Sequence, residues 1–222
     1  MNKSYFSEGL TLDDYRHIPG IDWQDQLMTG NGFTHNHTLS MSAGSERIRV
    51  MTSLGYLDQN GIIKNANFKR YNLRNNMDIR MNDRLNFRLD IAATYSRRAA
   101  NPYQSSVFGF MNSKDPLMLA QWSDGSYAPF TGGTVNPLPM IEQGGGGNNI
   151  RQNGVLKASA ALEYKPVQWL TLEVKAAPQL TAVKTHRFVD LVEYHSDPYG
   201  TVSKTSNAEY NSLDETVTAA WN

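Results

Sequence analysis

The sequence predicts an all-β fold: an antiparallel up-and-down meander of about seven strands, part of a transmembrane β-barrel wall, with short helical pieces confined to long outer loops. Three observations carry that expectation. Apolar and polar residues alternate along most of the chain. The links between alternating segments are short and long by turns. Tyrosines stand at the ends of the apolar parities.

Successive side chains of a strand point to opposite faces, so a strand with one greasy face alternates. "HNHTLSMSA" sets Leu39 and Met41 against Thr38, Ser40 and Ser42. In "ERIRVMTSLGY", Ile48, Val50, Leu54 and Tyr56 share one parity, and Arg47, Arg49 and Ser53 the other. "LGYLDQNGII" follows, and its Asp-Gln-Asn-Gly reads as a hairpin connection. In "FKRYNLRNNMDIRM", Tyr71, Leu73, Met77 and Ile79 oppose Arg70, Asn72, Arg74, Asn76, Asp78 and Arg80. "LNFRLDIAATYS" sets Leu85, Phe87, Leu89, Ile91, Ala93 and Tyr95 against Asn86, Arg88, Asp90, Thr94 and Ser96. "VLKASAALEY" and "WLTLEVKA" repeat the pattern, and "DETVTAAW" reads as a last strand. Thr52 and Asn75 interrupt the apolar parity. Helical spacing is confined to Ser105–Trp122, where Gly109 and Pro116 permit one or two short helices.

Residues 43–46, 82–84 and 165–168 read as tight turns, whereas about 57–67, 97–149 and 186–207 read as longer links. In a meander, all short turns then fall at one edge and all long loops at the other. Transmembrane barrels have this asymmetry. Tyr56, Tyr71 and Tyr95 sit at the long-loop ends of their apolar parities and Tyr164 at a short-turn end, as interfacial girdles require. Ten residues at about 3.3 Å, tilted near 45°, rise roughly 23 Å, enough for an apolar band of about 25 Å. Arg47, Arg49, Arg70, Arg74 and Arg88 all take the polar parity, which would line a wet lumen. On the lipid face at mid-depth each would cost about 2–4 kcal/mol.

Composition narrows the function classes. The chain has 222 residues, room for one large or two small domains. Lys+Arg and Asp+Glu both total 21, which argues against a nucleic-acid binder driven by bulk charge. Cysteine is absent, so neither disulfides nor thiolate chemistry arise. No apolar run approaches the roughly 18 residues of a spanning helix, and residues 1–14 lack the apolar region of a signal peptide. A mean hydropathy of -0.51 is typical of soluble chains, yet a spanning strand needs only every second residue apolar.

"IDWQDQL" (Ile21–Leu27), Asn36–Ile79 with its Asn-His-Thr-Leu-Ser, Gly-Ser-Glu, Leu-Gly-Tyr-Leu-Asp-Gln and Phe-Lys-Arg-Tyr-Asn, "NPLPMIEQGG" (Asn136–Gly145) and "LEYKPVQWLTLE" (Leu162–Glu173) resemble SusC/RagA-type TonB-linked outer-membrane transporters. The resemblance covers Ile21 to the C-terminus. It implies a Gram-negative outer-membrane barrel of about 22 strands around an N-terminal plug. It also implies energy from TonB, a SusD-type surface lipoprotein as partner, and oligosaccharide or peptide cargo. The chain would supply roughly the second to eighth strands. Residues 1–32 would be an outer-loop segment, 33–96 a strand meander, 97–149 a long outer loop and 150–222 further strands. Plug, signal peptide and barrel closure are not expected within it, so it resembles a fragment, and function means that of the parent protein. An isolated piece would expose two unpaired strand edges and self-associate or require detergent.

No catalytic residue, cofactor or metal site is expected. His35 and His37 share a strand face, but no third ligand is apparent. Asp13, Asp14, Asp22 and Asp25 read as loop polarity, and "SDGSY" (Ser123–Tyr127) as a turn. Gly144–Gly147 lacks the strand-to-helix context of a phosphate cradle and reads as a link. Tyr103, Trp122 and Tyr127 in the long connection would either stack on cargo or pack the loop against itself or a partner. Two rivals remain: a soluble β-sandwich that binds glycans, and an enzyme on a β scaffold, for which no nucleophilic constellation stands out.

Overall fold

Alternation becomes architecture when the strands pair. The computed structural model describes residues 20–28, 30–122, 124–128, 136–142, 147–189, 192–195, 202–205 and 210–221. Helix α1 (Trp23–Leu27) precedes strands β1 (Phe33–Gly44), β2 (Ile48–Asn60), β3 (Asn67–Asn82) and β4 (Leu85–Ala100). Helices α2 (Gln104–Ser113) and α3 (Leu138–Glu142) follow, then β5 (Gly147–Val167), β6 (Leu170–Ala176), β7 (Pro178–Val189), β8 (Val192–His195), β9 (Val202–Thr205) and β10 (Tyr210–Trp221). β6 pairs with the lower half of β5 and β7 with its upper half, so the two act as one long strand broken at Ala177. The sheet therefore runs β1-β2-β3-β4-β5-β7-β10, every neighbour antiparallel, as the meander predicts.

The register stacks the apolar parities. His37, Tyr56, Tyr71 and Tyr95 form one row, which Gly154 and Ala182 continue. The rung below holds Leu39, Leu54, Leu73, Ala93, Leu156 and Leu180. Lower rungs carry Val50, Met77, Leu89 and Ala160, then Ile48, Ile79, Phe87, Leu162 and Val174. A slip of one residue would turn every one of these over, which is why the pattern pins the pairing. Nothing among the described residues covers this face: Leu39 is 58% exposed, Leu172 51% and Val174 72%.

The short turns have specific chemistry. Ser45 Oγ accepts from the amides of Arg47 and Ile48, and a Cβ on Gly44 would sit 2.9 Å from the Ile48 carbonyl oxygen, so glycine is required there. Asn82 Oδ1 accepts from the Arg84 amide in the next turn. At the opposite edge, the first connection departs from the sequence expectation. Leu57–Asn60 remain in β2, opposite Asn67–Arg70, and the chain turns only over 61–66, with Asn65 at φ 63°. The strands simply outrun the alternation. β3 and β4, 16 residues each, reach about 37 Å along the normal at a 45° tilt, well beyond an apolar band of about 25 Å. Above the band no solvent asymmetry selects for alternation.

The densest burial lies in the loops. Trp23 and Leu27 of α1, Ile63, Met111, Leu138, Met140, Ile141 and Tyr194 form an apolar cluster at the long-loop edge. Their segments are tied by Trp23 Nε1 donating to the Asp115 carbonyl (3.1 Å), Asn65 Nδ2 to that of Ile141 (3.0 Å) and Asn101 Nδ2 to that of Met140 (2.7 Å). Asn136 is fully buried. Its Nδ2 donates to the carbonyls of Ala120 and Ala128, its Oδ1 accepts from the Leu138 amide, and its own carbonyl accepts from the Tyr194 hydroxyl. One side chain thus holds three loop segments in a cap over the sheet end.

Candidate functional site

Three surfaces follow from this geometry: the apolar face, the polar face and the loop cap. On the apolar face the rings of Tyr56 and Tyr71 lie 5.1 Å apart and those of Tyr71 and Tyr95 6.3 Å, so three tyrosines distant in sequence form one row. His37 stacks on Tyr56 at 6.4 Å and extends the row to β1. Tyr164 lies opposite Leu85 and Leu172, ten residues along β5 from Gly154 in the tyrosine row, a rise of roughly 23 Å. Trp169, in the turn just beyond it, is 83% exposed. Sequence reasoning passed over it, although an aromatic beside Tyr164 in a short turn is the expected form of a lower girdle.

Thr52 and Asn75, the two breaks in the apolar parity, turn out to be partners: they face each other in register, and Asn75 Nδ2 donates to Thr52 Oγ1 at 2.8 Å. One rung above the tyrosines, the same parity turns ionic. Asp58 accepts from the Tyr56 hydroxyl (2.8 Å), lies 3.1 Å from Lys69 Nζ and 3.8 Å from His35 Nε2. The Tyr56 hydrogen bond first, and Lys69 second, hold the Asp58 carboxyl below the usual carboxylate range. The bond to Asp58 correspondingly raises Lys69. His35 and His37 approach to 3.2 Å between ring nitrogens. Among the described residues no group of three or more His, Cys, Asp or Glu could hold a metal.

The polar face is a ladder of paired groups. Ser40 donates to Ser53 (3.0 Å), Thr94 to Asn72 (3.2 Å) and Asn76 to Asp90. Arg88 lies 3.0 Å from Glu173 and 3.6 Å from Glu163. Arg49, Asp78 and Arg88 are consecutive across β2, β3 and β4. Arg70 and Arg74 are exposed on the same parity, and Arg47 lies in the turn just before β2. Arg47, Arg49 and Arg88 come together, with Arg80, Asp78 and Glu163, around an open depression of about 300 Å³. Such a surface is strongly hydrophilic.

The loop aromatics divide. Tyr127 is 8% exposed in the cap, its hydroxyl 3.4 Å from Glu142, while Tyr103 and Trp122 are half-buried at its margin. Within "SDGSY", residues 124–127 form a turn in which Asp124 Oδ1 accepts from the Ser126 amide and hydroxyl; Ser123 lies outside the described residues. Asp22 caps α1, accepting from the amides of Gln24 and Asp25. Lys114 lies over the Phe110 ring at 5.3 Å, and burial pushes its pKa down. Asp13, Asp14 and Gly144–Gly146 lie outside the described residues.

No protein-family model matches the chain. Among curated proteins it is 28% identical over 174 residues to the TonB-dependent receptor P26 of Formosa agariphila, covering 77% of the chain and 17% of that protein. It is 40% identical over 50 residues to the TonB-dependent receptor SusC of Bacteroides thetaiotaomicron, covering 22% of the chain and 5% of SusC. A solved structure of the RagAB peptide transporter superposes with a TM-score of 0.59 at 21% identity, over 77% of the chain and 20% of its counterpart. The RagAB importer in its closed-closed state gives 0.57 at 19% identity, over 78% and 20%. The chain therefore spans about a fifth of the proteins it matches. Stacked apolar rungs between aromatic rows, a polar opposite face and loops sorted to one edge agree with these similarities: the chain resembles a segment of SusC/RagA-type TonB-dependent transporters and shares the fold of part of the RagA barrel.

Proposed function

We propose that this chain forms part of the wall of a TonB-energised outer-membrane importer that takes up oligosaccharides or peptides with a SusD-type lipoprotein partner. The carrying observation is the in-register apolar face, about 23 Å tall between its aromatic rows and uncovered by any other described part of the chain. Lipid is the cover such a face fits. The opposite parity, with Arg49, Arg70, Arg74 and Arg88, bounds the polar passage. The cap at the long-loop edge faces cargo and lid, with Tyr103 and Trp122 at its margin available to stack on cargo. Transport is driven through a plug contributed by the remainder of the protein. The relatives' names support this assignment, since they are receptors and importers rather than enzymes. A glycan-binding sandwich would sequester Leu73 and Leu172 between two sheets, whereas they are 39% and 51% exposed on a single sheet.

This chain contains no cysteine, so a cysteine introduced into it is unique within it. Leu73→Cys and Arg74→Cys, each carrying an environment-sensitive fluorophore in the bilayer-reconstituted protein, should respond oppositely. The label at 73 should be quenched by a lipid-borne nitroxide and the label at 74 by a water-soluble one. Equal quenching of the two by the aqueous reagent would refute the assignment of faces.

A further inference from the structure

The upper aromatic row is incomplete. It runs His37, Tyr56, Tyr71, Tyr95 and then falls to Gly154 and Ala182. Beneath the gap lie Ala93, Leu156 and Leu180, and the whole forms an open apolar groove of about 830 Å³. Nothing in the fold demands glycine at 154: a Cβ there would meet no atom closer than the Ala182 carbonyl oxygen at 3.9 Å. The space is vacant of side chain where packing would tolerate one.

One rung above the gap, on the same parity, stand Arg97, Gln152 and Lys184. Arg97 and Lys184 flank Gln152 on neighbouring strands, about 10 Å apart at the backbone. Lys69, beside Arg97, is committed to Asp58, whereas no ion-pair partner of Arg97 or Lys184 occurs among the described residues. Glu215 stands opposite Lys184 in the backbone register, and nothing acidic flanks Arg97, whose neighbours are Lys69 and Gln152. A cationic pair at headgroup height above an acyl-sized slot is complementary to one kind of molecule.

We propose that this groove binds an acylated lipid with a phosphate headgroup, the chain lying over Gly154 and Ala182 and the phosphate between Arg97 and Lys184. The proposal rests on reading this parity as the lipid-facing one. The phosphate draws on charge at the rim, where membrane-surface cations act, and the chain restores the apolar cover that the missing rings leave open.

The test uses the longest polypeptide that carries this segment, in bilayer discs of zwitterionic lipid doped with traces of either dipalmitoyl phosphatidate or dipalmitoyl glycerol. Lipid retained through detergent exchange is read by native mass spectrometry. Phosphatidate should be retained preferentially. Arg97→Gln and Lys184→Gln should each lower its retention about fivefold. Gly154→Leu should lower it by about tenfold with both cations intact. Equal retention of the two lipids, or unchanged retention in all three variants, overturns the proposal. Full displacement by equimolar inorganic phosphate also overturns it, since the site would then serve a soluble anion. The fluorophore at residue 73 separates the failures. If lipid-borne quencher reaches it while the lipids are not discriminated, only this proposal falls; if it does not, the membrane assignment falls too.

Discussion

Thr52 and Asn75 offer the sharpest test of the apolar face. They sit four residues below the tyrosine row on β2 and β3, about 9 Å beneath the interface at a 45° tilt. Their hydrogen bond, 2.8 Å from Asn75 Nδ2 to Thr52 Oγ1, satisfies each polar break with the other. Thr52→Val removes the acceptor and keeps the shape. The stranded amide then faces hydrocarbon, where lost hydrogen bonds average about 0.6 kcal/mol and reach about 1.7, while fully unsatisfied groups cost about 1–3 kcal/mol. A destabilisation of about 1–2 kcal/mol is expected. Asn75→Leu should cost less, because it strands only a hydroxyl and adds apolar contact. The double variant Thr52→Val with Asn75→Leu should return to wild-type stability or exceed it, because neither polar group remains. Reversible denaturant unfolding in lipid bilayers, run as a double-mutant cycle, measures the coupling directly. If the double variant is destabilised by the sum of the singles, the pair does not interact and this face does not meet lipid as described.

Depth dependence gives a second outcome: Leu89→Arg, near mid-depth on the apolar parity, should cost about 2–4 kcal/mol in the same assay, and Arg88→Gln, one residue away on the exposed polar parity, less than about 1 kcal/mol. Asp58 makes a pH prediction. Its folded pKa is depressed, so its stabilisation is complete above the unfolded value near 4 and is lost as pH falls through the lower folded value. Amide exchange at the outer ends of β2 and β3 should therefore accelerate below about pH 4, and Asp58→Asn should abolish that acid dependence. Asn136→Ala deletes three side-chain hydrogen bonds inside the cap and should destabilise it by about 3 kcal/mol, seen as faster exchange at the Leu138 amide with the sheet protected as before.

The alternation of the sequence is a local property, and what it determined is local: which segments are strands, which side chains share a face, and where Tyr56, Tyr71, Tyr95 and Tyr164 stand along them. The order of short and long links carried the meander. Where polarity is uniform, as in Leu57–Asn60 above the apolar band, the signal vanished, and the strand ends lay further out than the alternation indicated. The rest belongs to tertiary structure, because it depends on residues far apart in the chain. Only the register sets Thr52 against Asn75, and only the register places Gly154 at the end of the tyrosine row beneath Arg97 and Lys184. Likewise, the polar "NP" at Asn136 reads as a loop, yet folding buries it as the anchor of a cap built from Trp23, Ile63, Met140 and Tyr194. Periodicity reports on a residue's neighbours along a strand; contacts between distant segments leave no period to read.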